Sequence, residues 1–413
     1  MKLGGRQRLL AGFALGWVAA TTAAANELDG RSFHLGGFGT LGAVYHEDEG
    51  LRYRRSVSQP AEAEAGELDF STDSRLGLQL NASWNPQLEA VVQAVSKLTE
   101  HGDWQPQLTR GFLRYRPNES LMLRAGRLGY ELFPRADSID IGYSYPNIRP
   151  PVEVFGQIPA DYSDGLDLTY TRPVGPGLIN LKLYGGQTSG AFVGTDGAVR
   201  DLSDSKIWGT SLDYLQGAWQ GRIGGGIYMV NEPTRVPALS QGLRQTGDPQ
   251  AQALADEFDG AGRRIGFLVA GLSYDEGPLQ ARLFLGRLQP DSLTGPSLNI
   301  GSLIASYNLG VLTPYLGVAA SHSYSEIQPT GLPDSNPQYV ALNQASVRAQ
   351  SSFRNDQTSL TGGLRYDFAR NLALKFQIDH LWLRGSNLVV DDNQPPLDDP
   401  EMTVFGLALD FIF

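Results

Sequence analysis

The chain has 413 residues and not one cysteine. No disulfide framework is available, so stability must come from hydrogen bonding and packing. Positive charge is scarce: 33 Lys and Arg stand against 44 Asp and Glu, a net charge of −11. That balance argues against nucleic acid as a partner. Histidine is rare as well, at His34, His46, His101, His322 and His380, with no metal-ligand spacing among them. There is no G-x-S-x-G and no glycine-rich phosphate loop. No enzyme constellation, cofactor or metal site is therefore expected. Long hydrophobic runs are missing too. Beyond residue 25 no stretch is apolar for long enough to make a membrane-spanning helix.

The one apolar run lies near the start, over residues 9–20. Lys2, Arg6 and Arg8 precede it, and Ala23, Ala24 and Ala25 follow. A basic head, a short apolar core and an A-x-A site describe a secretory signal peptide. Residues 1–25 are expected to be removed, leaving 26–413 as one domain.

What fills the rest is alternation. Residues 75–84 read RLGLQLNASW, with Leu76, Leu78, Leu80, Ala82 and Trp84 on one face and Arg75, Gly77, Gln79, Asn81 and Ser83 on the other. Residues 372–382 put Leu372, Leu374, Phe376, Ile378 and Trp382 opposite Lys375, Gln377 and Asp379. A period of two means a strand between two environments. About sixteen such segments can be counted. In 205–215, 262–274 and 298–325 the alternation is blurred, which leaves room for fourteen to eighteen.

The connections sort by length. Short ones such as 85–87, 117–118, 216–218 and 369–370 alternate with long ones such as 47–74, 128–164, 230–261 and 326–353. Short turns at one end and long loops at the other are the pattern of an outer-membrane barrel. A soluble β-sandwich would not sort its loops this way. The polar faces also carry Arg75, Glu89, Lys97, Arg110, Arg114, Arg116, Arg124, Lys182, Arg222, Arg282, Arg365, Lys375 and Asp379. A soluble core could not bury so many charges, whereas a water-filled lumen can. The expected fold is all-β: a transmembrane antiparallel β-barrel with short periplasmic turns and long external loops.

One stretch keeps neither period. Residues 128–164 hold Pro134, Pro146, Pro150, Pro151 and Pro159, which rule out a regular helix and a central strand. Ile139, Ile141, Tyr143, Tyr145, Val152, Val154, Phe155 and Ile158 make it too apolar for a solvated linker. It reads as an ordered loop packed inside something hollow.

Residues 403–413, TVFGLALDFIF, end the chain on an aromatic face completed by Phe413. Together with FHLGGFGTLGAVYH at 33–46, the RAGRL run at 124–128 and the long third external loop, this resembles the Gram-negative porins of the sixteen-stranded general type. The likeness spans the whole mature chain and extends to generically described porins of environmental proteobacteria. The VEVFG of 152–156 matches the family's loop-tip motif, Pro-Glu-Phe-Gly-Gly, only weakly. The resemblance implies an outer-membrane location, a third loop folded into the lumen, and passive diffusion of small hydrophilic solutes or ions. It also implies a homotrimer in contact with lipid and lipopolysaccharide, and a terminal Phe413 read by the barrel-assembly machinery.

An electrostatic constriction is then expected, with Arg75, Arg110, Arg114, Arg116 and Arg124 on the wall. Facing them on the loop would be Glu131, Asp137, Asp140, Glu153, Asp161 and Asp164. Such charges either set a transverse field or fasten the loop to the wall. Acidic external loops, with Glu62, Glu64 and Glu67 in the first and Asp391, Asp392, Asp398 and Asp399 in the eighth, are either solvated faces or sites for divalent cations. Two other functions compete: a substrate-specific channel of 16–18 strands with an aromatic slide, and a barrel enzyme drawing on His101, Ser321 and His322.

Overall fold

The computed structural model describes residues 25–28, 31–132, 136–160, 162–231, 236–258, 261–293, 297–351, 354–393 and 397–413. The expected signal peptide, apart from Ala25, lies outside them, as do Asp161 and the side chain of Asp137.

Sixteen antiparallel strands form the ring. They are β1 (Arg31–Tyr45), β2 (Arg75–Asn85), β3 (Leu88–Leu98), β4 (Trp104–Asn118), β5 (Leu121–Gly129), β6 (Tyr162–Val174), β7 (Gly177–Thr188) and β8 (Ser205–Gln216). Then come β9 (Trp219–Asn231), β10 (Ala261–Glu276), β11 (Leu279–Pro290), β12 (Leu298–Tyr307), β13 (Leu312–Ser323), β14 (Gln357–Ala369), β15 (Leu372–Leu383) and β16 (Glu401–Ile412). Each pairs with its neighbours in sequence, and β1 pairs with β16 as well as β2, so no edge is left. A short segment, Ala25–Leu28, adds to β1 at its start.

Side chains alternate across this wall as the sequence predicts. Leu76, Leu78, Leu80, Leu374, Phe376 and Leu407 point outward and are exposed. Their neighbours Arg75, Lys375, Gln377, Asp379 and Asp410 point inward and are buried. Ala82, on the same face, is buried. Tyr115, Tyr170, Tyr214, Trp219, Tyr307 and Phe368 are exposed close to the short turns, as in the aromatic girdle that marks a membrane interface. Seven short connections of two to four residues join the strands at that end. Gly217 and Gly277 take positive φ there, +54° and +59°, a conformation that favours glycine.

Blurred alternation has a physical cause. In β8, β10 and β12 the inward residues Ile207, Phe267, Val269, Leu298 and Ile300 are themselves apolar, while Trp208, Leu268 and Leu303 face out. Both faces are hydrophobic, so no period survives.

The long loops carry structure that the strand pattern does not reveal. The third holds a single helical turn, α1 (Val152–Phe155). The fifth holds α2 (Pro237–Gln245) and α3 (Pro249–Glu257), and the seventh holds α4 (Pro337–Ser351). The first and eighth loops share a small sheet, Leu51–Tyr53 with Ala63–Glu64 and Val389–Asp391. The third loop is shorter than expected, because β5 runs to Gly129 and β6 starts at Tyr162. β4 begins at Trp104, and Gln105, Pro106 and Gln107 interrupt the apolar pattern of its first part.

At the closing seam Phe413 exchanges two backbone hydrogen bonds with Gly37, at 2.8 and 2.9 Å. Its ring lies over that glycine: a Cβ at position 37 would stand 2.2 Å from the ring. Phe411 covers Gly39 in the same way. Gly37→Ala is therefore expected to destabilise the barrel by about 1–3 kcal/mol, read as earlier loss of heat-modifiable gel mobility. The double change Gly37→Ala with Phe413→Ala should cost less than the sum of the two single changes. Strict additivity would show that the ring and the glycine do not interact.

Candidate functional site

The third loop lies against the inner wall, and wall side chains hold its backbone. Arg75 donates from Nε to the carbonyl of Asp140 at 2.8 Å. Lys375 donates to the carbonyls of Gly142 at 2.8 Å and Asn147 at 3.2 Å, and pairs with Asp410 at 2.6 Å. Arg365 donates to the carbonyls of Tyr143 at 2.6 Å and Tyr145 at 3.0 Å, with its guanidinium over the Tyr143 ring. Gln377 accepts from the Ile148 amide at 2.9 Å. Gly142 permits this closeness, since a Cβ there would meet Asp410 at 2.2 Å and Thr40 at 2.5 Å. Further on, Val154 packs among Val269, Phe284, Leu298 and Ile300, and Phe155 meets Phe284 edge-on at 5.7 Å. The loop thus reaches from β2 and β14–β16 across to β10–β12.

Among the described carboxylates that lie on the loop, two meet wall cations. Glu131 pairs with Arg124 at 2.6 Å and with Lys182, while Arg222 donates to its carbonyl at 2.7 Å. Burial alone would push its pKa up, but Lys182 and Arg124 bring it down to about 2. Asp140 pairs with Lys97 at 3.2 Å. Burial opposes its charge, and Lys97, Arg75, Arg110 and Arg55 together hold it below the usual carboxylate range.

The others are placed differently. Glu153 is fully buried and accepts from Gln357 at 2.6 Å, with no cation within ion-pair distance among the described residues. Burial pushes its pKa up. Asp164 is not part of the loop: it stands on β6, on the outer face with Leu166, where Arg127 grips it at 2.8 and 2.9 Å. Arg114 and Arg116 turn to Glu89 on β3. Arg124 also binds Asp167 on β6. The guanidinium of Arg110 lies over Gly129, at the base of the loop.

Residues not singled out from sequence complete the network. Arg149, itself in the loop, pairs with Asp73 at 3.1 Å and Asp379 at 3.3 Å. Arg365, Lys375 and Lys182 were readable as inward charges, but nothing in their spacing marks them as holders of a distant loop. Ser321 is buried and accepts from Asn355 at 2.7 Å, whereas His322 is exposed and bound to Asp356 at 2.5 Å. As neighbours on one strand they point to opposite faces. Among the described residues no group of His, Asp and Glu is placed to hold a metal ion. Several external acids are taken up internally, Asp392 by Arg52 and Asp256 by Arg244.

Two cavities flank the loop. One, of about 720 Å³, lies towards β2–β5 and is lined by Arg55, Arg75, Lys97 and Arg127 beside Glu100, Asp140 and Asp201. The other, of about 900 Å³, lies towards β8–β12 and is mostly apolar. Pro159 and Ala160 of the loop border both.

A closed sixteen-stranded ring with an apolar outer belt and a loop bound to its inner wall is the fold of porin-type outer-membrane barrels. Solved proteins share that fold. OmpT of Vibrio cholerae matches with a TM-score of 0.52 at 11% sequence identity, over 94% of this chain and 100% of its own. OmpF of Salmonella typhi, solved in complex with daunomycin, matches at 0.53 and 12%, over 94% and 100%. The anion-selective porin of Comamonas acidovorans matches at 0.52 and 14%, over 93% and 100%. No protein-family model matches the sequence, and no curated protein does.

The Glu131 cluster gives a pH test. Because its folded pKa, about 2, lies below the ordinary 4.5, its contribution is complete above 4.5 and is lost as pH falls towards 2. Glu131→Gln should cost about 3 kcal/mol near neutral pH by leaving Lys182 underpaired. Thermal melts should show the gap to the unmodified protein closing on acidification. A gap that stays constant down to pH 2 would contradict the pairing.

Proposed function

We propose that this protein is an outer-membrane channel for passive diffusion of small hydrophilic solutes or ions, narrowed by its third loop. One observation carries the reading: lumen-facing Arg75, Arg365 and Lys375 bind the backbone of that loop inside a closed ring. Backbone carbonyls held by fixed cations keep a loop at one depth, where it reduces the cross-section without entering the sheet. The polar cavity beside it offers the aqueous route, where Arg55, Arg75 and Lys97 face Glu100, Asp140 and Asp201. In this reading Arg75, Arg110 and Arg124 with Glu131 and Asp140 shape the constriction field. Arg114 and Arg116 act nearer the short turns with Glu89. Glu153 braces the loop. No catalytic step is assigned. The chain is secreted with residues 1–25 removed, and assembly uses Phe413 as its signal. It works as a homotrimer in a membrane of phospholipid and lipopolysaccharide.

Removing residues 134–158 tests the loop. The ring's hydrogen bonds run strand to strand, so the barrel should still fold. Single-channel conductance should rise. Selectivity should shift towards anions, because Asp137, Asp140 and Glu153 leave with only Arg135 and Arg149. Unchanged conductance in a folded barrel would place the loop outside the solute path.

A further inference from the structure

The cavity of about 900 Å³ does not suit a purely hydrophilic route. Its walls are the inward apolar residues of β8–β12, such as Phe267 and Val269, with Val154 of the third loop, Phe192 of the fourth and Leu342 of α4. Water gains little there, since few polar groups converge on it. The charges it does contain are unbalanced: Arg54, Arg200 and Arg348 stand against Asp196 alone, two positive charges in excess.

Their partners sharpen the point. Arg200 is paired with Asp196 at 2.7 Å. Arg54 is buried, and its hydrogen bonds go to the carbonyls of Gln59, Val193 and Asn387, not to a carboxylate. Arg348 is exposed on α4 and makes no hydrogen bond or ion pair with any described residue. The amide nitrogen of Gln157, also in the wall, is buried and likewise has no hydrogen-bond partner among them. An apolar chamber whose free polar groups are donors and cations matches a ligand with a greasy body and an anionic head.

We propose that this cavity is a binding site for amphipathic organic anions, the apolar chain against Phe267, Val269 and Leu342 and the carboxylate at Arg348. The site goes beyond the channel reading and does not depend on it. The volume is that of a pocket for a drug-sized ligand, and the fourth, fifth and seventh loops all contribute to its lining, with Phe192, Leu239 and Leu342.

Isothermal titration calorimetry of the full barrel in lipid nanodiscs tests this, with empty nanodiscs subtracted. Decanoate should bind saturably. Acetate, with the head but no chain, should not bind. Decylammonium, with the chain but the wrong sign, should bind at least about fivefold more weakly. Arg348→Ala should weaken decanoate by about fivefold. Ala345→Trp, one turn earlier on the same face of α4, should fill the chamber and abolish binding, with folding checked by heat-modifiable mobility. Decanoate binding no greater than to empty nanodiscs would overturn the proposal. So would equal affinity for decylammonium, which needs no variant to measure. Because no current is recorded, a failed site and a failed channel remain separate results.

Discussion

Every backbone amide and carbonyl of a strand in lipid must find its partner within the sheet. For sixteen strands this leaves one solution, a closed ring, and closure falls on β1. Its first half pairs with β2, from Ser32 opposite Ser83 to Thr40 opposite Arg75. Its second half pairs with β16, from Phe38 opposite Ile412 to Tyr45 opposite Phe405. Glycines let this seam shut tightly. At Gly37, Gly39 and Gly77 the missing side chain is replaced by the ring of Phe413, Phe411 or Phe38. Aromatic cover of strand glycines pins the register. The terminal aromatic is thus a structural part of the seam as well as the end of the chain.

The same accounting governs the third loop, which has no sheet to satisfy it. Its proline-rich backbone enters the barrel with free carbonyls, and a buried carbonyl without a donor is costly. The wall supplies donors: Lys375 serves two carbonyls, Arg365 two and Arg75 one. These cations stay tolerable in the interior because Asp410 and Asp367 neutralise two of them. The charges on the inner face therefore solvate a loop as much as they face water, and the loop's position is set by side chains on strands far from it in sequence.

That division explains what could be read from the sequence. The ring was legible because lipid outside and water inside impose a strict period of two, as in β2, β15 and β16. Leu76, Phe376 and Leu407 face lipid as expected. The loop was legible as an anomaly, since its prolines and its apolar residues fit neither a strand nor a linker. Its partners were not. Nothing local connects Arg365 to Tyr143, 222 positions away. Arg114 looked equivalent to Arg124 by spacing, yet one meets Glu89 on its own hairpin and the other meets the loop. The helices of the external loops carry no alternation to mark them, although Asp248 before Pro249 is a helix-start signal. Its carboxylate caps α3 by accepting from Gln250 and Ala251.

The blurred strands carry the last step. A lumen needs polar inner residues only where water meets the wall. Over β10–β12 the inner face is covered by the apolar limb of the third loop, so Val269, Phe284 and Ile300 are hydrophobic without meeting solvent. Where the loop stands off from that wall, the same residues surround a chamber instead of a contact. One segment crossing from β2 to β12 thus divides the interior by chemistry. Ion pairs tie the loop on one side, and apolar packing ties it on the other. The blurred periodicity of β8, β10 and β12 is the trace of that division.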